Sequence, residues 1–111
     1  MSKNVIVISE WLPKRNLEQD IFEVFRDLAR QTLSSEKGCI QYNVSKHMTH
    51  HYTTEPRDFK IMLMQEFKSI EDFEKHCEAP YVVALFDRLI ANKNTSPIEN
   101  YECRVFSKAS I

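Results

Sequence analysis

The chain has no excess of charge, no long apolar run and a single glycine, Gly38, in 111 residues. Lysine and arginine number 15 against 16 aspartates and glutamates, a formal net charge of −1. With the signs nearly cancelled, no global field holds nucleic acid or an anionic membrane through counterion release, so neither is an expected partner. No apolar stretch approaches the ~20 residues that cross a bilayer, and the Met1 end lacks the h-region of a secretory signal. The three cysteines, Cys39, Cys77 and Cys103, are odd in number, widely spaced and form no C-x-x-C pair. They read as free thiols of a reducing compartment rather than as a disulfide framework, which places the chain in the cytoplasm.

What is present suits one modest core. At 42% apolar residues the chain reads as a single domain over residues 1–111. Val5-Ile6-Val7-Ile8 is a β-branched run that ends in Ser9-Glu10-Trp11 and is closed by Pro13, a strand feeding a turn. Asn16 followed by Gln19 forms a candidate capping pair. Behind it Leu17, Ile21, Phe25, Leu28 and Thr32 recur at three- and four-residue steps, widened by Phe22, Ala29 and Leu33, so one helical face is built for burial. Gly38 is expected to stop that helix as a left-handed cap.

From Cys39 the pattern alternates, with Ile40, Tyr42 and Val44 on one side and Gln41, Asn43 and Ser45 on the other, as in a strand with unlike faces. His47 to Asp58 is polar, carries Pro56 and reads as a long hairpin loop before a third strand, Phe59 to Phe67. Ser69 with Asp72 caps a short helix containing Phe73, His76 and Cys77, and Pro80 opens a further turn of helix with Tyr81, Leu85, Phe86 and Leu89 inward. Tyr101 to Phe106 is the last strand. Strand, helix, strand, strand, helix, strand is an α+β, ferredoxin-like βαββαβ plan, an antiparallel sheet with the first and third strands central.

Those central strands predict an assembly. Val5 to Ile8 and Ile61 to Met64 are apolar at successive positions, hence on both faces of the sheet. A second copy covers the open face most simply, giving a homodimer in which two sheets close into an α+β barrel; a terminus or the polar 47–58 loop is the alternative cover. The βαββαβ plan also serves RNA-recognition modules and acylphosphatase-like enzymes, so fold alone names no function. An RNA-recognition strand carries glycine and exposed aromatics for base stacking. Here the third strand reads FKIMLMQEF, glycine-free and without that platform.

In order along the chain, Glu36-Lys37-Gly38-Cys39-Ile40-Gln41-Tyr42 opens the second strand, Gln65-Glu66-Phe67 closes the third, and Ser69 to His76 follows as S-x-x-x-F-x-x-H. From Val5 to Phe106 this ordered set resembles the antibiotic biosynthesis monooxygenase family. The resemblance implies a dimeric ferredoxin-like barrel that oxidises quinol-like or polyketide aromatics with O2, without metal or flavin. The family also includes haem-degrading enzymes, relatives that act on small signalling molecules, and uncharacterised members. By that resemblance the haem-degrading members use a helix tryptophan and a downstream axial histidine. His76 stands where the tryptophan aligns and Leu85 near the axial position, and both departures speak against haem ligation.

Ground-state O2 is a triplet and reacts slowly with closed-shell molecules, so a protein acting without a cofactor makes its substrate electron-rich by removing a phenolic or enolic proton. It needs a base and a dry pocket. His76 is the first candidate for a base or a substrate hydrogen bond, or else a partly exposed histidine that caps or packs the helix: imidazole titrates near neutrality, it shares a helical face with Phe73, and it matches the family's F-x-x-H. Glu66 shares its strand side with Met62 and Met64 and is a candidate to polarise His76 or take a proton, or else a salt-bridged structural group. Tyr42 is a candidate donor to a developing oxyanion or hydroperoxide, or a packed tyrosine. Trp11, Phe67, Phe73, Tyr81 and Phe86 either wall a pocket for a flat ring or simply form core. His47, His50 and His51 lie in a polar loop with no carboxylate pair or C-x-x-C to complete a shell, so no metal site is assigned. Cys39 and Cys77 read as small buried thiols, with a nucleophilic Cys77 beside His76 as the alternative. The expectation is a cofactor-independent monooxygenase for a small quinol-like or polyphenolic aromatic. A small-molecule isomerase acting on a lactone or hydroxyketone, and a non-catalytic ligand-binding dimer, remain the alternatives.

Overall fold

A computed structural model describes residues 3–54 and 58–110. They form, in chain order, β1 (Val5–Pro13), α1 (Glu18–Ser35), β2 (Cys39–Lys46), β3 (Ile61–Phe67), α2 (Ile70–Glu78), α3 (Pro80–Ile90) and β4 (Ile98–Ser107). The strands make one antiparallel sheet in the order β2-β3-β1-β4. This is the ferredoxin-like βαββαβ arrangement, with β1 and β3 central and the second helical arm divided into α2 and α3 before Pro80.

Alternation sorts the sheet into two faces. On β1 the residues Val5, Val7, Ser9, Trp11 and Pro13 are buried beneath the helices, while Ile6, Ile8, Glu10 and Leu12 are half-buried on the other side. The register Ile8↔Met64 and Val7↔Gln65 extends both rows onto β3. Ile61, Leu63, Gln65 and Phe67 therefore lie under the helices, and Met62, Met64 and Glu66 opposite. Phe25, Phe67, Ile61, Leu63 and Val7 are sealed in the core, each large apolar side chain contributing roughly 1.5–3 kcal/mol of transfer free energy.

The α1 stripe of Ile21, Phe25, Leu28, Ala29 and Thr32 is buried as the three- and four-residue spacing requires, although Leu33 at its margin is exposed. Strand β1 is longer than its β-branched run, because Ser9 and Glu10 continue the ladder to Pro13, where the pairing shifts opposite β4. Helix α3 runs for 11 residues and also buries Val82. Strand β4 begins three residues earlier than Tyr101, whereas β3 begins at Ile61. Among the described residues between β2 and β3 there is no helix or strand; Pro56 falls outside them.

Three local expectations are corrected. Asn16 is not the cap of α1: it takes a left-handed φ of 68° in the preceding turn, a conformation asparagine tolerates, and Leu17 stands at the N-cap without a side-chain hydrogen bond. Ile40 does not share a side with Tyr42, because a bulge between Cys39 and Gln41 turns it outward and puts Cys39 in the helix-facing row. Gly38 is not a left-handed cap, since no glycine has positive φ among the described residues and Glu36 ends α1 in an extended conformation.

Gly38 is required for space instead. A Cβ there would stand 2.4 Å from Cγ and 2.6 Å from Cβ of Asp72, whose backbone N–H donates to Ser69 Oγ at the start of α2. The single glycine thus lets the α1–β2 junction approach the capped end of α2. Gly38→Ala should lower stability by about 1–3 kcal/mol through this overlap, read as a lower midpoint in urea unfolding; an unchanged midpoint would show that α2 yields freely.

Candidate active site

The site grows from the end of α1. Thr32 is the last fully buried residue of the helix, and Glu36 follows one turn later, its backbone N–H donating to the Thr32 carbonyl at 2.9 Å. On α2, the Ser69 cap sets the helix so that Phe73 and His76, three apart, share the inward face. His76 is 3% exposed. Its Nδ1 lies 2.8 Å from Glu36 Oε2 and 3.0 Å from Oε1. Tyr81, in the first turn of α3, donates its hydroxyl to the same Oε2, and Thr32 Oγ1 lies 3.2 Å from the phenol oxygen. Burial first, and the Glu36 contact second, raise the Tyr81 pKa and keep it a proton donor.

This arrangement selects a tautomer. With the carboxylate as acceptor, Nδ1 carries the proton, which leaves Nε2 as the acceptor atom of the neutral ring. His76 also lines a cavity of about 180 Å³ between α2, α3 and the helix-facing side of β1, β3 and β4. Trp11, Phe73, Phe86 and Tyr101 supply its aromatic walls and Val7, Leu63, Val82 and Ile90 its aliphatic ones. Trp11 is held on three sides, stacked at 4.9 Å on Tyr101 and 5.6 Å on Phe86 and tilted at 5.0 Å against Phe25. Its indole N–H donates to Ser9 Oγ at 2.9 Å. A wider groove of about 560 Å³ between α1 and β2 holds Arg26 and Arg30 but neither Glu36 nor His76.

Of the candidates read from sequence, His76, Trp11, Phe73 and Phe86 meet at this cavity. Phe67, fully buried, supports it from behind, its ring 5.3 Å from His76 and 5.6 Å from Phe73. Tyr81 serves the carboxylate rather than the wall. Tyr42 lies edge-on to His76 at 6.3 Å, outside the cavity lining; burial drives its phenol pKa upward. Glu66 is on the opposite face of the sheet, where it accepts from Asn4 Nδ2 at 2.8 Å, Lys108 Nζ at 3.0 Å and Gln41 Nε2 at 3.3 Å. It does not polarise His76; Glu36 does.

Burial pushes the Cys39 thiol up to about 11. Cys77 is exposed rather than buried. It lines the cavity with Cys103, and partial burial raises both pKa values, so both stay protonated thiols. His50 and His51 stack at 4.5 Å in the exposed loop, where His50 Nδ1 accepts from the Tyr52 N–H. Among the described residues no three His, Cys, Asp or Glu side chains are arranged to hold a metal ion, and no helix is long and apolar enough to cross a membrane.

Fold and cavity together define a ferredoxin-like α+β protein with a buried imidazole in an apolar pocket. The chain belongs to the antibiotic biosynthesis monooxygenase family, whose model matches residues 4–88 and so includes Glu36 and His76. It is similar to a proposed antibiotic biosynthesis monooxygenase from Deinococcus radiodurans (17% identity, 96% of this chain and 94% of that one, TM-score 0.73). Another proposed member, from Caulobacter crescentus, is 15% identical over 98% of this chain and 92% of its own, with TM-score 0.74. A dimeric protein of unknown function and ferredoxin-like fold from Bacteroides fragilis is 15% identical over 95% and 96%, with TM-score 0.72. No curated protein matches the chain.

Sequence reasoning missed Glu36, Gln65, Ser9, Tyr101 and Cys103. Glu36 was visible as the first residue of E-x-G-C-x-x-Y, where it served only as a family mark. Gln65 was visible as the one polar member of the row Ile61, Leu63, Gln65, Phe67.

Glu66 yields a pH dependence. Its hydrogen bond from Asn4, then that from Lys108, lowers its pKa below the ordinary 4.5. The stability it contributes is therefore complete above that value and is lost as pH falls through the lower folded one. In denaturant titrations between about pH 5 and 3, wild type should lose stability more steeply than Glu66→Gln; parallel curves would show no linkage.

Proposed function

We propose that the chain is a cofactor-independent monooxygenase that oxidises a small quinol-like or polyphenolic aromatic with O2, using His76 as the base. The observation that supports this is the pair in which half-buried Glu36 holds Nδ1–H of the buried His76, beside an apolar cavity walled by aromatic rings. Nε2 accepts the phenolic proton, and the Glu36 carboxylate stabilises the imidazolium that forms, as an aspartate does for histidine in serine hydrolases. The phenolate transfers an electron to O2, and the phenoxyl radical and superoxide recombine. The resulting peroxide collapses with loss of water to leave a quinone. One oxygen atom enters the product and one leaves as water, and the ring supplies all four electrons. The apolar walls limit water and favour charge recombination over escape.

The working unit is a homodimer. Ile6, Ile8, Leu12, Met62 and Met64 are half-buried and Phe106 is 45% exposed on the helix-free face, an apolar surface that a second sheet would cover. The dimeric B. fragilis protein of like fold is consistent with this. Sedimentation of wild type should return twice the 13.1 kDa chain mass, and Ile8→Lys should drive it to the monomer; a monomeric wild type would exclude the assembly.

The reaction is tested by O2 uptake of metal-free protein on reduced quinones and polyphenols, with autoxidation subtracted. His76→Ala should lower turnover by about 10²–10⁴-fold, and Glu36→Ala should lower it less, because water can replace part of the carboxylate's role. Wild-type uptake no faster than autoxidation would reject the oxygenase. A proton shift in a hydroxyketone without O2 uptake would instead identify an isomerase using the same imidazole.

A further inference from the structure

The cavity holds a second polar group that base catalysis leaves unused. Gln65 lies in its lining with His76, 6% exposed, at a strand position whose row-mates Ile61, Leu63 and Phe67 are sealed and apolar. Among the described residues its Oε1 is buried without a hydrogen-bond partner, and so is the hydroxyl of Tyr42, its cross-strand neighbour on β2. An unpaired buried amide oxygen destabilises a fold relative to an apolar side chain of the same shape, so such groups call for a function. The carboxamide also offers both hydrogen-bonding roles on one plane: its C=O accepts from a hydroxyl and its NH2 donates to a carbonyl. A ring oxygen passing from hydroxyl to carbonyl on oxidation can therefore be held throughout.

Size narrows the class further. At about 180 Å³ the cavity exceeds only slightly the roughly 150 Å³ that accommodates benzene. It falls below the roughly 300–1,000 Å³ of sites for drug-sized molecules. Trp11, pinned by Ser9 and stacked on Tyr101 and Phe86, gives one flat wall, and Phe73 borders the same space.

We propose that Gln65 holds the second oxygen of a single-ring dihydroxyarene whose first hydroxyl meets His76, an assignment that rests on the site being the one used under the proposed function. Gln65 then sets specificity: it rejects rings that carry a methyl group in place of the second hydroxyl, because the amide would stay unpaired.

Anaerobic titration calorimetry tests this without turnover. Hydroquinone, resorcinol and catechol are each compared with the cresol of matching substitution, on wild type and on Gln65→Met. At least one diol should bind wild type about tenfold more tightly than its cresol, the scale of one hydrogen bond to a buried group. Gln65→Met should erase that preference, bind the cresol at least as well as wild type does, and unfold at a higher temperature. Equal binding of every diol and its cresol, a preference that survives Gln65→Met, or no binding by any of the six overturns the proposal. A diol preference lost in Gln65→Met but never accompanied by O2 uptake would leave Gln65 in place and reject the oxygenase. O2 uptake without a diol preference would do the reverse.

Discussion

One carboxylate holds the three helices together. Glu36 ends α1 and gathers His76 from α2 and Tyr81 from α3, with Thr32 of its own helix alongside. A negative group at a helix C-terminus faces the unfavourable end of the macrodipole, and α1 has no basic residue in its last turn to offset it. Donors from the next two helices supply that compensation. Two short helical segments are thereby registered against a long one, and the cavity beneath them inherits their spacing. Gly38, two residues further on, permits the close approach by giving Asp72 the room a side chain would fill.

The sheet separates two uses of the same functional group. Glu36 and Glu66 are both inward-facing carboxylates with several donors, yet they lie on opposite faces. Beneath the helices the donors are an imidazole and a phenol. On the other face the donors are two amides and an ammonium, and the cluster joins the β2–β3 edge to the segments flanking β1 and β4. Strand alternation alone, through a register of Ile6↔Glu66 and Val7↔Gln65, decides which side chain is placed in which setting.

That alternation was the most legible feature of the chain. The β1 and β3 patterns carried the two faces, the spacing of Ile21, Phe25, Leu28 and Thr32 carried α1, and Ser69 with Asp72 carried the start of α2. What sequence could not supply were contacts between residues far apart in the chain. Glu36 and His76 are 40 positions apart, and no periodicity links them. The bulge at Ile40 reversed a side assignment because one inserted residue shifts the phase of a two-residue repeat. Gly38 was misread for a related reason: scarcity of glycine marks a demanding position, but whether the demand is for a dihedral angle or for space depends on Asp72, 34 positions away.

Trp11 is the only tryptophan in the chain, and it is a wall of the cavity rather than a remote part of the core. Its indole is stacked on two rings and hydrogen-bonded to Ser9, so its surroundings are uniform from molecule to molecule until something enters the space beside it. Under the proposed function, the near-ultraviolet emission of this protein would signal occupancy as well as folding. A ring arriving against the indole alters its excited state directly, giving the chain a built-in optical indicator at the point where its chemistry would occur.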